Sequence, residues 1–408
     1  MWLAVMIVGG VLAAGFLCCV MCNLGSLRTA IDVIDASADF LAGTKRIIAV
    51  PFFFFLLQII SVAIWVPCMA YVTSMNHISP SELTPQLKDI EWKPEIKLMG
   101  LYMFFGILWV TAFFEYCSTF TIMVSASTYY WNSDMADEGQ AEVHTGVLFC
   151  FNHFGSIAIG SFIIALVRFI RITVMYAAKQ AEKQSGDNAV VKQMVACAQC
   201  ILACIEKICD YINESAYAYQ AVTGDAFCKA AWNAFMLQLK HMVKFSFAQL
   251  IAKVFILLGK VGITAGNMVS CYYIMLLVFK DMEDHLDQPN PDPAVTQATG
   301  SVLLVGVFSF MVASIFLGIL DTAVLSLLTN VAIDSDNNDG HPSSGPPTFH
   351  DRLEGFKNAE EHARDRQKAG WGEDGNMMEE GGERQSLYKR EEPGKEKFRE
   401  TWIYHFMY

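Results

Sequence analysis

Long apolar stretches broken by short polar ones run through most of the chain, over residues 1–21, 47–71, 98–127, 149–176, 247–279 and 299–328. A helix needs about 20 mostly apolar residues to cross roughly 30 Å of hydrocarbon, and each stretch reaches that length. Only helices and closed barrels satisfy their backbone groups in lipid, and the short alternating segments of a barrel are absent. The pattern predicts an all-α fold, a polytopic transmembrane helix bundle. The first stretch lacks a basic leader and a clear cleavage site, so it reads as a retained span.

The polar positions fill in the rest. Over 23–46, Leu27, Ile31, Ile34, Ala38 and Leu41 recur at helical spacing beside Arg28, Asp32, Asp35, Asp39, Lys45 and Arg46, which predicts an amphipathic helix lying on the membrane face. Pro80, Pro85 and Pro94 make 74–97 a loop, and acidic segments at 134–142 and 281–292 separate later spans. Residues 190–212 are apolar and cysteine-rich but carry Lys192, Glu206, Lys207 and Asp210. With Arg28, Lys45 and Arg46 on the cytoplasmic side, an odd number of spans puts the charged C-terminal end inside, so 190–212 is counted as a span and the total is about seven. The expected organisation is a bundle over 1–334 and a charged, largely irregular cytoplasmic tail over 335–408.

Composition agrees: 54% of residues are hydrophobic, 17% are charged, and the mean hydropathy is +0.35. The net charge of -12 is concentrated in loops and the tail, which speaks against nucleic acid as a partner. The 12 cysteines sit mainly in apolar or amphipathic segments and read as buried packing residues. Cys197, Cys200 and Cys204 share one helical face, a geometry unsuited to zinc, with acylation at the membrane face as a second reading. No phosphate-cradling glycine loop, nucleophile elbow or His-Glu-x-x-His motif occurs, so neither an enzyme nor a cofactor or metal site is expected.

Four local patterns then carry a resemblance. His153, Gly155, Ser156, Ala158, Gly160 and Ser161 form His-x-Gly-Ser-x-Ala-x-Gly-Ser. Glu206-Lys207, Asn213, Ala216-Tyr217, Gly224, Phe227-Cys228 and Ala234-Phe235 make a second series. Leu258-Gly259-Lys260 is the third, and Asp321-Thr322 with Asn338-Asp339-Gly340 the fourth. In this order the chain resembles the choline transporter-like family over nearly all of residues 1–340. It departs from the family at Glu214 and Ser215, where an arginine is lost, and at 121–125, which is bulkier. Family members also begin with a further span and a large extracellular loop that do not precede Met1.

The resemblance implies a carrier of choline or a related organic cation working by alternating access, in the plasma membrane or alternatively an organelle membrane, including the mitochondrial. The second reading is a non-transporting subunit of a larger membrane complex, with other membrane subunits as partners beside the lipid bilayer. A quaternary ammonium donates no hydrogen bond and is held best over aromatic faces near a carboxylate. Trp109, Phe113 and Glu115 supply such parts within one span, with Phe114 beside them. Tyr129 and Tyr130, followed by Trp131, read as an interfacial belt or a site wall, and Asp321 as a second acid, with Lys240 or Lys244 as its expected partner. Gly155, Ser156, Gly160 and Ser161 read as a small-residue face for helix packing. His153 is a helix-end residue or a proton-coupling one.

Overall fold

Backbone groups in hydrocarbon have no water to bond, so the apolar runs close their hydrogen bonds within helices. The computed structural model describes residues 24–75, 77–80, 88–91, 93–133, 138–185, 189–285, 293–338 and 343–347. The expected span at 1–21, part of each acidic segment (134–137 and 286–292) and the tail beyond 347 lie outside the described residues. In chain order the helices are α1 (Leu24–Gly43), α2 (Ala49–Ser74), α3 (Pro94–Asn132), α4 (Val143–Asn152), α5 (Phe154–Ser185), α6 (Ala189–Thr223), α7 (Phe227–Lys240), α8 (Met242–His285) and α9 (Pro293–Asn337). A 3-10 turn, Lys45–Ile48, leads into α2. Within the proline-containing loop, β1 (His77–Pro80) pairs antiparallel with β2 (Lys88–Glu91), Ile78 opposite Ile90.

Among the described residues five helical segments are long and apolar enough to cross a membrane: Lys45–Ser74, Pro94–Asn132, Phe154–Gln180, Ala248–Leu277 and Gly300–Asn337. On α2, Phe52, Phe53, Phe55, Leu56, Ile59 and Ile60 are all exposed, a surface suited to lipid tails and costly in water. The segment 190–212 is helical, as part of α6, but is not among the five, because its charges interrupt the apolar run. The stretch expected to span from 149 onward breaks at His153, where α4 ends and α5 begins.

The chain divides into two compact units, and the division falls within α3. One unit holds residues 1–44, 126–141 and 237–408. There α1 packs against α8 and α9, which pack against each other. Val33, Ala36 and Phe40 of α1 are fully buried, so one face of this amphipathic helix packs into the core of the unit while Ile31, Asp35 and Ala38 stay exposed on the other. The last turns of α3 meet α9 through polar groups: Trp131 Nε1 donates to Asn330 Oδ1 at 2.7 Å, and Asn330 Nδ2 donates to Ser127 Oγ at 3.0 Å. Beside them, the buried Asp334 accepts from the Tyr130 hydroxyl at 2.9 Å, from the backbone N–H groups of Ser343 and Ser344 at 2.8 and 2.9 Å, from Asn338 Nδ2 at 2.7 Å and from Ser343 Oγ at 3.0 Å. Gly345, at φ +114°, lies so close to Tyr130 that an added Cβ would come within 2.7 Å of the ring.

The other unit holds residues 45–125 and 142–236. In it α2 is tied to α3 by Trp65 Nε1 donating to the Met103 carbonyl at 3.0 Å and by Gln58 Nε2 donating to that of Thr111 at 3.3 Å. The helices α5 and α6 pack along each other.

Candidate functional site

In the second unit, α3, α5 and α6 bring ionised side chains together from segments far apart in sequence. Glu115 of α3 meets Arg168 of α5, Nη1 to Oε2, at 3.2 Å. The same guanidinium reaches Glu206 of α6 at 3.4 Å and Asp210 at 3.5 Å, and Arg171 pairs with Glu206 as well. Tyr116 donates its hydroxyl to Asp210 Oδ1 at 2.7 Å. Three carboxylates against two guanidiniums leave a formal excess of one negative charge. Ionised groups within apolar helices are costly unless paired, which is why the acids of α6 sit where arginines of a spanning helix meet them. The charges that keep α6 from being apolar are thus the ones that dock it.

The aromatic side chains form two groups along the same helices. Trp109 donates its indole N–H to the Ala158 carbonyl at 3.2 Å, packs edge-on against Phe162 at 5.4 Å, and remains 37% exposed. Phe113 lies against Phe114 and Phe154, with ring centroids 5.7 and 5.4 Å away. Deeper, Tyr217 of α6 packs on Tyr116 at 5.3 Å, Phe227 at 5.7 Å and Phe120 at 6.0 Å. Phe120 in turn meets Phe149 and His153, each at 6.0 Å. Burial holds the Tyr217 phenol well above its usual range, so it stays a hydroxyl and donates to the Ile157 carbonyl at 3.2 Å. The sequence reading marks His153, Tyr217 and Phe227 of this inner group through the patterns above but not Tyr116 and Phe120, although these two stand at an i, i+4 spacing that puts them on one helix face.

The structure places Trp109, Phe113 and Glu115 in this unit, and Tyr129, Tyr130 and Asp321 in the other. Tyr130 is fully buried and bonded to Asp334, and Trp131 is bonded to Asn330, so these rings anchor a helix end rather than forming an interfacial belt. Tyr129, only 3% exposed, lies beside Phe40 with no hydrogen-bond partner for its hydroxyl among the described residues. Asp321 faces the charges of Lys253 and Lys260 on α8; of its two expected partners, Lys240 bonds Asp336 at 2.8 Å together with His241, and the Lys244 side chain lies outside the described residues. His153 has Nδ1 2.9 Å from the Phe149 carbonyl and Nε2 3.4 Å from that of Gly224. Cys197, Cys200 and Cys204 are exposed on the outer face of α6 rather than packed, whereas Cys117 and Cys150 are buried.

A family model described as plasma-membrane choline transporter matches residues 7–336. The chain belongs to that family. It is 28% identical over 337 residues to choline transporter-like protein 2 of Dictyostelium discoideum, covering 79% of this chain and 50% of the relative. It is 29% identical over 293 residues to choline transporter-like protein 3 of Homo sapiens, covering 71% and 42%, and 27% identical over 295 residues to choline transporter-like protein 1 of Mus musculus, covering 72% and 42%. The chain thus spans half or less of the length of these curated relatives.

The four patterns that carry the choline transporter-like resemblance meet in pairs, one pair per unit. Gly160 of the first sits under Tyr217 and Phe227 of the second: an added Cβ would run into the Tyr217 hydroxyl and come within 2.9 Å of the Phe227 ring. Asn213 Nδ2 donates to the Gly160 carbonyl at 2.9 Å. Ser161 is buried too, bonded to the Ala158 carbonyl, but Gly155 has open space around it and Ser156 is half-buried, so the small-residue face is packed only at its later end. In the other unit Gly259 of the third pattern lets α8 approach α9, where an added Cβ would lie 3.1 Å from Leu317, one turn before Asp321 of the fourth.

Proposed function

We propose that this chain forms the core of a carrier that moves choline, or a closely related organic cation, across a membrane by alternating access, with the plasma membrane as its site of action. The match of residues 7–336 to the choline transporter family carries this reading. The chemistry at α3, α5 and α6 supports it. A quaternary ammonium needs diffuse negative potential rather than hydrogen-bond acceptors. Here the formal charge excess of Glu115, Glu206 and Asp210 over Arg168 and Arg171 stands beside the ring of Tyr116, on the same helix as Trp109 and Phe113. Arg168 is a tethered cation already paired with three carboxylates, so an incoming ligand shares or competes for the same charge.

The test is calorimetric or scintillation-proximity binding of choline to the full chain in lipid nanodiscs. Choline binds the parent; Trp109→Ala weakens it roughly 30-fold, as removal of a desolvated cation–π contact of about 2 kcal/mol requires, and Trp109→Phe costs much less. Glu115→Gln removes the charge excess and also weakens choline, while the neutral carbon isostere of choline binds poorly and is indifferent to that change. Equal affinity across these variants would remove Trp109 and Glu115 from the site. A parent that binds no choline would overturn the carrier reading.

A further inference from the structure

Gln220 of α6 is fully buried, and neither its amide oxygen nor its amide nitrogen has a hydrogen-bond partner among the described residues. Buried polar groups are almost always paired, so an amide unmatched at both ends asks for a reason. Its place along α6 supplies one. Asn213 bonds Gly160, Tyr217 bonds Ile157, and the Gly224 carbonyl faces His153, so α6 runs antiparallel to α5 with these residues on the shared side. Gln220 comes seven residues after Asn213 and three after Tyr217, which places it on that same face, between Tyr217 and Gly224. Within the same unit the Tyr217 ring meets those of Phe120 and Phe227, and Phe120 meets Phe149 and His153, so Gln220 follows this aromatic cluster by about one turn of α6.

Aromatic faces next to one unmatched amide are the two halves of a particular specificity. The rings suit a quaternary ammonium head. An amide offers a donor and an acceptor together, the complement of an alcohol, which is both acceptor and donor. We infer that Gln220 recognises the hydroxyl of the transported cation, so the site selects quaternary ammonium alcohols over quaternary ammonium ions without an alcohol. This rests on the carrier reading and adds the residue that sets its selectivity. The rings are in mutual contact, 4.2 to 6.0 Å between centroids, so the ligand reaches the amide only when α6 draws away from α3 and α5. The ion pairs of Arg168 are the ties that such a movement loosens.

The experiment is competition binding on the full chain in nanodiscs, with radiolabelled choline displaced by choline or by propyltrimethylammonium, in which a methyl group replaces the hydroxyl. The parent prefers choline by roughly 10- to 100-fold, as a buried hydrogen-bonding group left unmatched by the analogue requires. Gln220→Leu, and Gln220→Met as the closer match in shape, bring the preference to near one while retaining affinity for propyltrimethylammonium. An unchanged preference in either folded variant would overturn the assignment and leave the amide with a structural water at most, without touching the carrier reading. A parent that binds neither cation would strike the carrier reading itself, and this assignment would fall with it.

Discussion

Gly160 has no room for a methyl group, because the Tyr217 hydroxyl and the Phe227 ring occupy the place where a Cβ would go. Gly155, five residues earlier on the same helix, has nothing within 4 Å of that place. The two glycines therefore answer the same substitution in opposite ways. Gly160→Ala lowers the melting temperature in detergent through overpacking that costs about 1–3 kcal/mol, whereas Gly155→Ala leaves it unchanged or raises it, by up to about 1 kcal/mol of helix propensity. Equal melting shifts for the two would count against the close approach at Gly160. Sequence spacing alone could not separate them, since both belong to one small-residue pattern and the difference lies in a tyrosine 57 positions further on. Glu115 shows the same limit: its position in an apolar run marks it as needing a partner, but Arg168, 53 residues away, is chosen by packing.

Among the elements, α6 is the most instructive. Its helical character was legible from period and composition; its relation to the membrane was not, because that depends on whether Glu206 and Asp210 find counter-charges. They find them on α5, so the helix is held by ion pairs on one face and leaves Cys197, Cys200 and Cys204 exposed on another. Arg168 is the joint of this seam, contacting both α3 and α6. Arg168→Gln deprives three carboxylates of their common donor. With the side chain 27% exposed, the loss belongs near the lower end of the range for charged hydrogen bonds, about 1–2 kcal/mol. Hydrogen exchange at 206–212 should accelerate roughly 5- to 30-fold, with Arg168→Lys intermediate because an ammonium lacks the planar fork that reaches several carboxylates at once. Unaltered exchange would mean that apolar contacts alone hold α6.

For the molecule as a whole, the all-helical membrane architecture followed directly from run lengths, and family membership from four short patterns. What the patterns did not disclose is that each pairs with one other, so that each compact unit carries its own tight junction. The first unit is further secured by Asp334, whose carboxylate has no cation among its described hydrogen-bond partners and is held by side-chain and backbone donors from both sides. Asp334→Asn replaces one acceptor oxygen by a donor in that crowded place. The amides of Ser343 and Ser344 should then exchange roughly 30-fold faster, about 2 kcal/mol, while exchange in α6 is unchanged. The same junction has a consequence for how the protein is made. Tyr130 and Asp334 are 204 positions apart, and Trp131 and Asn330 are 199 apart. At about 5–20 residues per second, a ribosome needs roughly 10–40 s to supply the second member of each pair after the first. Through that interval the end of α3 waits in the nascent chain without the side chains it bonds on α9, and the junction is completed only as the last long helix leaves the ribosome.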